Sequence, residues 1–262
     1  MAIMKIGITG ASGVLGTILE QKLHEQKYST SSFEGDIRNI AEIEKWIKLD
    51  KFESVIHLAA IVPPSEVEES LIKAFEVNSV GTRNLANVLN SKSPFTWMFY
   101  ASTSHVYKSS SKPISEDGEI EPISEYGLTK YAGEVLAKKK HSNLCIGRIF
   151  SMYHKTQKPP FLYPNIINRL NREDLTKDFE LYGAESVRDF LNAEEVADII
   201  IFLMRKKVVG TFNIASGKGT KIRDFVQGLT EKKLKIKDMG GKDSLVANID
   251  KLKKILDEKE TC

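Results

Sequence analysis

Cysteine is scarce in this chain: two in 262 residues, Cys145 inside an apolar run and Cys262 at the last position. Neither a disulfide framework nor the paired spacing of a zinc site can be built from them, so no metal is expected and a reducing compartment is implied. Long apolar runs are missing too. No stretch reaches the roughly 18 residues of a membrane-spanning helix, and the chain opens directly into a strand-like segment without a basic, then apolar leader. A cytoplasmic protein without a membrane partner is the expectation. Charge of one sign is not in excess, with 38 Lys+Arg against 35 Asp+Glu. The small lysine clusters at 138–140 and 232–237 have no aromatics interleaved, which reads as solvated helix faces and excludes a nucleic-acid partner. Internal repeats and low-complexity linkers are absent. With 41% hydrophobic and 28% charged residues, the chain suits a soluble α/β protein of one large domain or two closely joined ones.

What the chain does have is Gly7-Ile-Thr-Gly10-Ala-Ser-Gly13-Val-Leu-Gly16. Residues 5–9 read as a short buried strand, and Leu15, Ile18, Leu19 and Leu23 fall at helical spacing, so the glycines occupy a strand-to-helix junction. Gly10 permits the tight turn, Gly13 lets backbone approach a pyrophosphate, and Gly16 lets the helix pack against the strand, with free N–H groups of the helix N-terminus facing the anion. The Gly-x-x-Gly-x-x-Gly spacing departs from the Gly-x-Gly-x-x-Gly fingerprint but keeps its strand-turn-helix logic.

Residues 28–33 form a polar strand candidate leading into Gly35-Asp36. A dinucleotide fold often ends this strand on an acid that takes the adenosine ribose hydroxyls. Here stand Ser29, Thr30, Ser31 and Ser32 with no Arg or Lys beside them, so NAD or NADP both stay open, and Asp36 is placed near the adenine or in a simple turn. Residues 54–60 read as a buried parallel strand whose small C-terminal residues leave room for a cofactor, with His57 a satisfied core histidine. A long helix is expected over 66–90 and a strand over 96–101. Ser102, Thr103, Ser104 and His105 follow at the strand's mouth, where ligands bind in open α/β sheets. Tyr126 to Lys130 opens a helix to about residue 140. Residues 144–150 and 211–214 supply further strands, 193–206 a helix, and the tail after Gly217 two amphipathic helices around Gly240-Gly241. This alternation predicts an α/β fold with a doubly wound parallel Rossmann sheet and a small C-terminal substrate-binding subdomain. Residues 1–152, with 193–206 and 211–214 returning to the sheet, form the dinucleotide-binding part. Residues 153–192 and 217–262 form the subdomain.

Tyr126 and Lys130 lie one turn apart on the same helix face. For a phenol to act as acid and base near neutrality its pKa must fall by about 3 units, about 4 kcal/mol, and a neighbouring ammonium works in that direction. Thr103 could then share a substrate oxygen with Tyr126.

Eight segments in order carry a resemblance: T-G-A-S-G-V-L-G (9–16), G-D-I-R-N (35–39), H-L-A-A (57–60), N-S-V-G-T-R-N-L (78–85), S-T-S-H-V-Y (102–107), Y-G-L-T-K (126–130), G-R-I-F-S-M-Y (147–153), and R-D-F (188–190) before V-A-D (196–198). The chain resembles the extended short-chain dehydrogenase/reductases, in particular the NAD-dependent epimerase/dehydratase group acting on nucleotide sugars. The resemblance implies Tyr126 as acid/base, Lys130 on the nicotinamide ribose and Thr103 on the reacting oxygen. It also implies cofactor contacts from Gly10, Ser12, Gly13, Val14, Leu15, Gly16, Leu58, Ala59, Ala60 and Asn78, with Asp36 and Ile37 flanking the adenine. Substrate contacts fall to Thr103, Ser104, Ser151 and Arg188. Arg188 would meet the substrate pyrophosphate, which suits bidentate guanidinium chemistry, although a structural ion pair is an equal alternative.

Two departures narrow the expectation. Ser104 and His105 stand where the family's dehydratases carry Asp and Glu, which speaks against a 4,6-dehydratase, and Ser151 replaces a substrate-orienting Asn. The expected function is therefore NAD(P)-dependent 4-keto reduction or epimerisation of a nucleotide-diphospho-sugar. Reduction of a non-sugar carbonyl and a non-catalytic NAD(P)-sensing protein are the alternatives. A homodimer through the helices over 66–90 and 126–140 is expected from the resemblance.

Overall fold

The computed structural model describes residues 5–257, which leaves Cys262 outside the described residues. Strand β1 (Lys5–Thr9) enters the glycine turn and helix α1 (Val14–Glu25), and the chain returns as β2 (Ser29–Phe33), crosses in α2 (Ile40–Leu49) and continues as β3 (Ser54–His57). Helices α3 (Pro64–Glu69) and α4 (Leu71–Phe75), a π-helical turn at Glu76–Gly81 and α5 (Thr82–Lys92) lead to β4 (Trp97–Thr103). Then come α6 (Glu125–Lys138) and β5 (Leu144–Ile149). After β6 (Ser151–Tyr153), α7 (Leu162–Arg172), β7 (Asp178–Leu181) and β8 (Val187–Asn192), α8 (Ala193–Arg205) and β9 (Gly210–Ile214) rejoin the first sheet. The chain ends through β10 (Gly219–Lys221), α9 (Ile222–Gln227), β11 (Lys235–Asp238), β12 (Ser244–Leu245) and α10 (Asp250–Asp257).

Six parallel strands in the order β2-β1-β3-β4-β5-β9 make the main sheet. One core layer packs Leu15, Leu19 and Leu23 of α1 and Val196, Ile200 and Leu203 of α8 on Ile8, Phe99 and Ile214; the other packs Ile43, Ile47, Leu85 and Leu89 on Val55, Met98 and Ile146. Because both faces are covered, the inner strands are buried along most of their length and largely apolar, whereas β2, at the edge and half-buried throughout, tolerates its run of hydroxyls. The strand order reverses between β1 and β3. Ligands of open α/β sheets bind at such a reversal, outside the carboxyl ends of the strands.

A second body of small elements stands beyond these ends. Strands β10, β8 and β12 form one small sheet, to which β6 adds by pairing with β8, and β11 pairs with β7. Its own core gathers Ile166, Phe179, Leu181, Ile222, Val226 and Leu234. Buried Asp189 ties this body to the end of β9: it accepts the Ser216 hydroxyl at 2.6 Å, the Ser216 N–H at 2.8 Å and the Gly217 N–H at 2.9 Å.

Three sequence expectations need correction. The helix over 66–90 is broken. Ser70 takes an extended conformation and caps α4 by accepting the Lys73 N–H, and the π-helical turn lets Asn78 and Ser79 reach Ile61 and Thr129. The strand predicted to residue 60 ends at His57, freeing Leu58, Ala59 and Ala60 as loop. Lysines 232–237 lie not on a helix but in and before β11, and the tail interleaves three short strands with its two helices.

Candidate active site

A cleft of about 1550 Å³ opens over the carboxyl ends of β1, β3, β4 and β5. Its floor is the glycine turn. Gly10 sits at φ +73°, and a Cβ there would lie 2.7 Å from the Ala59 N and 2.9 Å from its Cα, so only glycine lets the β1 and β3 loops approach this closely. The start of α1 carries no side-chain cap and no acidic residue in its first turn, which leaves its N–H groups to an anion. Exposed Ser12 and Gly13 border the same space. These residues fit the diphosphate of a dinucleotide: bare backbone donors, a positive helix end and no competing carboxylate at that point.

Behind the turn, His57 Nδ1 is 2.6 Å from Thr9 Oγ1 and His57 Nε2 is 2.9 Å from Thr82 Oγ1, while Thr9 Oγ1 accepts the Ala59 N–H. His57 is fully buried and satisfied, as a core histidine should be. Burial first, then the nearby Lys130 charge, lowers its pKa to about 3. At the outer end of the cleft, Asp36 grips Arg38, which also reaches Glu76 at 3.0 Å.

The other wall is built by β4 and α6. Thr103 closes β4, and Ser124 caps α6 by accepting the Gly127 N–H at 3.1 Å; its hydroxyl is also 3.1 Å from His105 Nδ1. A side chain at Gly127 would collide with the His105 carbonyl, so the first turn of α6 lies directly on the loop after β4. That contact brings Thr103, Tyr126 and Lys130 into one cleft, with the His105 ring edge-on to the Tyr126 ring at 6.2 Å. Lys130 is only 1% exposed, and its Nζ rests 4.3 Å from the centroid of the Tyr100 ring. Burial brings the Lys130 amine down to about 7, opposed by Glu134 one turn further on.

The Tyr126 phenol departs from the sequence expectation. Burial raises its pKa instead of lowering it. The ammonium that was to favour the phenolate is itself disfavoured by burial, so its compensating charge is weakened where it is needed.

Gly10, Ser12, Gly13, Val14, Leu15, Gly16, Asp36, Ile37, Leu58, Ala59 and Ala60 all line the cleft. Four sequence candidates do not. Asn78 is buried, donating to the Ile61 carbonyl at 2.9 Å and to Thr129 Oγ1 at 3.0 Å. Ser104 is buried in the turn after β4, and Ser151 is half-buried on β6. Arg188 donates to Asp243 Oδ2 at 2.8 Å, the ion-pair alternative. Conversely, sequence reasoning passed over Glu20, which lines the cleft. Its signal was available: Thr17 and Glu20 fall on one face of α1.

Residues 6–215 match the model of the NAD dependent epimerase/dehydratase family. The chain belongs to that family. The chain is similar to a GDP-6-deoxy-D-talose 4-dehydrogenase of Aggregatibacter actinomycetemcomitans, 28% identical over 240 residues, an alignment covering 87% of this chain and 80% of that one. It is also similar to a bifunctional UDP-glucose 4-epimerase and UDP-xylose 4-epimerase of Pisum sativum, 26% identical, of whose length the match spans 62% against 73% of this chain. The fold of this epimerase/dehydratase chain is that of dTDP-4-dehydrorhamnose reductase from Bacillus anthracis str. Ames in complex with NADP, with a TM-score of 0.85 over 97% of this chain and 92% of that one at 20% identity. Among the described residues, no helix is long and apolar enough to cross a membrane.

Proposed function

We propose that this chain is an NAD(P)-dependent reductase of the 4-keto group of a nucleotide-diphospho-sugar. The observation that carries the proposal is the gathering of Tyr126, Thr103, Lys130 and the glycine turn in one cleft. The cleft exceeds the 300–1,000 Å³ or so that holds one drug-sized ligand, which suits a dinucleotide together with a second substrate. Both curated relatives named above carry nucleotide-sugar names.

The glycine turn and the uncapped start of α1 would hold the diphosphate, Phe33 to Ile37 the adenosine end, and Lys130 the nicotinamide ribose. The chemistry supplied by a bound reduced dinucleotide is hydride delivery to a carbonyl carbon. Thr103 and Tyr126 take the carbonyl oxygen between their hydroxyls. As the C=O π bond becomes a C–H and an O–H bond, Tyr126 gives its proton to the oxygen. The Lys130 amine, balanced near neutrality, returns a proton to the phenolate. Elimination chemistry lacks its carboxylates, because Ser104 and His105 follow Thr103. Arg188 is assigned to bracing β8 against Asp243, with the substrate diphosphate left to the second body around Met152, Gln157 and Phe161. Exposed Ile72 and Leu128, on α4 and α6, suit the expected homodimer.

The experiment is turnover of nucleotide-linked 4-keto sugars with reduced dinucleotide, followed by loss of nicotinamide absorbance. Stoichiometric consumption supports reduction; interconversion with only catalytic cofactor would assign epimerisation. Tyr126→Phe should cut turnover by about 10²–10⁴-fold with dinucleotide binding intact. Equal rates would remove Tyr126 from the mechanism.

A further inference from the structure

We propose that the cleft selects a dinucleotide without a 2′-phosphate, and that Glu20 on α1 makes the selection. The proposal deepens the dinucleotide assignment of the cleft and rests on it. In a dinucleotide fold the ribose hydroxyls meet an acid at the end of the second strand. Here that strand ends Ser31-Ser32-Phe33, and a carboxylate arrives instead from the neighbouring helix. Ser32 Oγ donates to Glu20 Oε1 at 2.7 Å, and Thr30 Oγ1 approaches the same oxygen at 3.4 Å.

These contacts decide what the hydroxyls can do. The Ser32 hydroxyl could otherwise donate to a 2′-phosphate, but its proton is spent on Glu20. The pair presents a half-buried carboxylate to the cleft. A carboxylate accepts and does not donate, with room for further hydrogen bonds at its two oxygens. Ribose hydroxyls are donors and match it; a 2′-phosphate is an acceptor bearing negative charge and repels it. Glu34 lines the cleft too and adds charge of the same sign.

Apart from Lys130 on the opposite wall, no Lys or Arg among the described residues lines the cleft. Arg38 is the nearest guanidinium in sequence, and it is committed: Nε lies 3.0 Å from both Asp36 oxygens, Nη2 2.6 Å from Asp36 Oδ2 and Nη1 3.0 Å from Glu76 Oε2. It does not line the cleft. No Lys or Arg among the described residues forms an ion pair with Glu20. His24, one turn along α1, reaches Thr30 Oγ1 at 2.8 Å.

The measurement is equilibrium binding of NADH and NADPH, and of ADP-ribose and its 2′-phosphate, by titration calorimetry on the full chain. NADH should bind about 100-fold tighter than NADPH, the size of one like-charge contact in a partly screened site. Glu20→Gln, with its fold checked by circular dichroism, should bring the ratio to within about 10-fold, and Glu20→Arg should invert it. Ser32→Ala leaves the charge in place and should keep most of the preference. Equal binding by the wild type, or an unchanged ratio in Glu20→Gln, would overturn the proposal. Binding of none of the four ligands would overturn the dinucleotide assignment itself.

Discussion

Glu134 of α6 and Arg148 of β5 form a two-pronged pair sealed from solvent: Nε to Oε1 at 3.0 Å and Nη2 to Oε2 at 2.7 Å, with both side chains at most 4% exposed. Ser102, one residue before Thr103, donates to the same carboxylate at 2.5 Å, and Arg148 Nη1 donates to the Glu116 carbonyl. The pair thus joins the end of β4, the helix bearing Tyr126 and Lys130, and the loop that crosses them. Glu134→Ala should destabilise the protein by about 3–5 kcal/mol, because it leaves a buried guanidinium without its anion. The double change Glu134→Gln with Arg148→Met should cost less than either charge removed alone. Urea unfolding of the wild type, Glu134→Ala, Glu134→Gln, Arg148→Met and the double variant checks the order.

Gly10 and Gly13 should respond differently to the same added methyl. In Gly10→Ala the new carbon meets Ala59 backbone at 2.7 Å in a left-handed conformation, so melting temperature and dinucleotide affinity should both fall. In Gly13→Ala it meets only the Gly10 carbonyl at 3.3 Å. Stability should hold within about 1 kcal/mol while affinity drops by at least about 10-fold, because the methyl stands where an anion must approach the backbone. Thermal melts paired with calorimetric titration separate the two.

Lys130 makes stability depend on pH. Its amine pKa is lowered from 10.5 to about 7, so between these values the unfolded chain binds a proton that the folded one does not. Stability contributed by this site therefore rises with pH from about 7 to 10.5, and at pH 6 the folded state bears the full cost of the buried charge. Lys130→Met should stabilise the protein at pH 6 by a few kcal/mol, with the gain shrinking toward pH 10 and with turnover lost. Constant stability of the difference across pH 6–10 would contradict this.

His57 acts on the acid side. Its pKa falls from 6.5 to about 3, so the unfolded chain protonates first as the pH drops through 6.5. The site's contribution is whole above 6.5 and declines progressively toward pH 3. In His57→Gln the pH slope of unfolding free energy between 4 and 6 should flatten by about one proton, about 1.4 kcal/mol per pH unit. Guanidinium midpoints at several pH values give the slope.

The sheet was legible because its signals are local. Residues 55–56, 97–101 and 144–147 are apolar runs, and a strand covered on both faces uses such runs. The helix over 66–90 misled because its apolar residues keep a helical period through Ser70 and Asn78. The break comes from partners far along the chain, since Asn78 and Ser79 leave the regular ladder to reach Ile61 and Thr129. Lysines 232–237 misled in the same way, their strand state set by pairing of β11 with β7.

What the sequence determined by itself was the turn between β1 and α1, the parallel sheet and the one-turn spacing of Tyr126 and Lys130, for glycine conformation, apolar periodicity and helical spacing act within a few residues of each other. Tertiary structure alone decided the charge states in the cleft and the engagement of Glu20, Asn78 and Arg188. A proton's affinity depends on how much water the fold removes, and a side chain's partner on which distant strand or helix lies beside it.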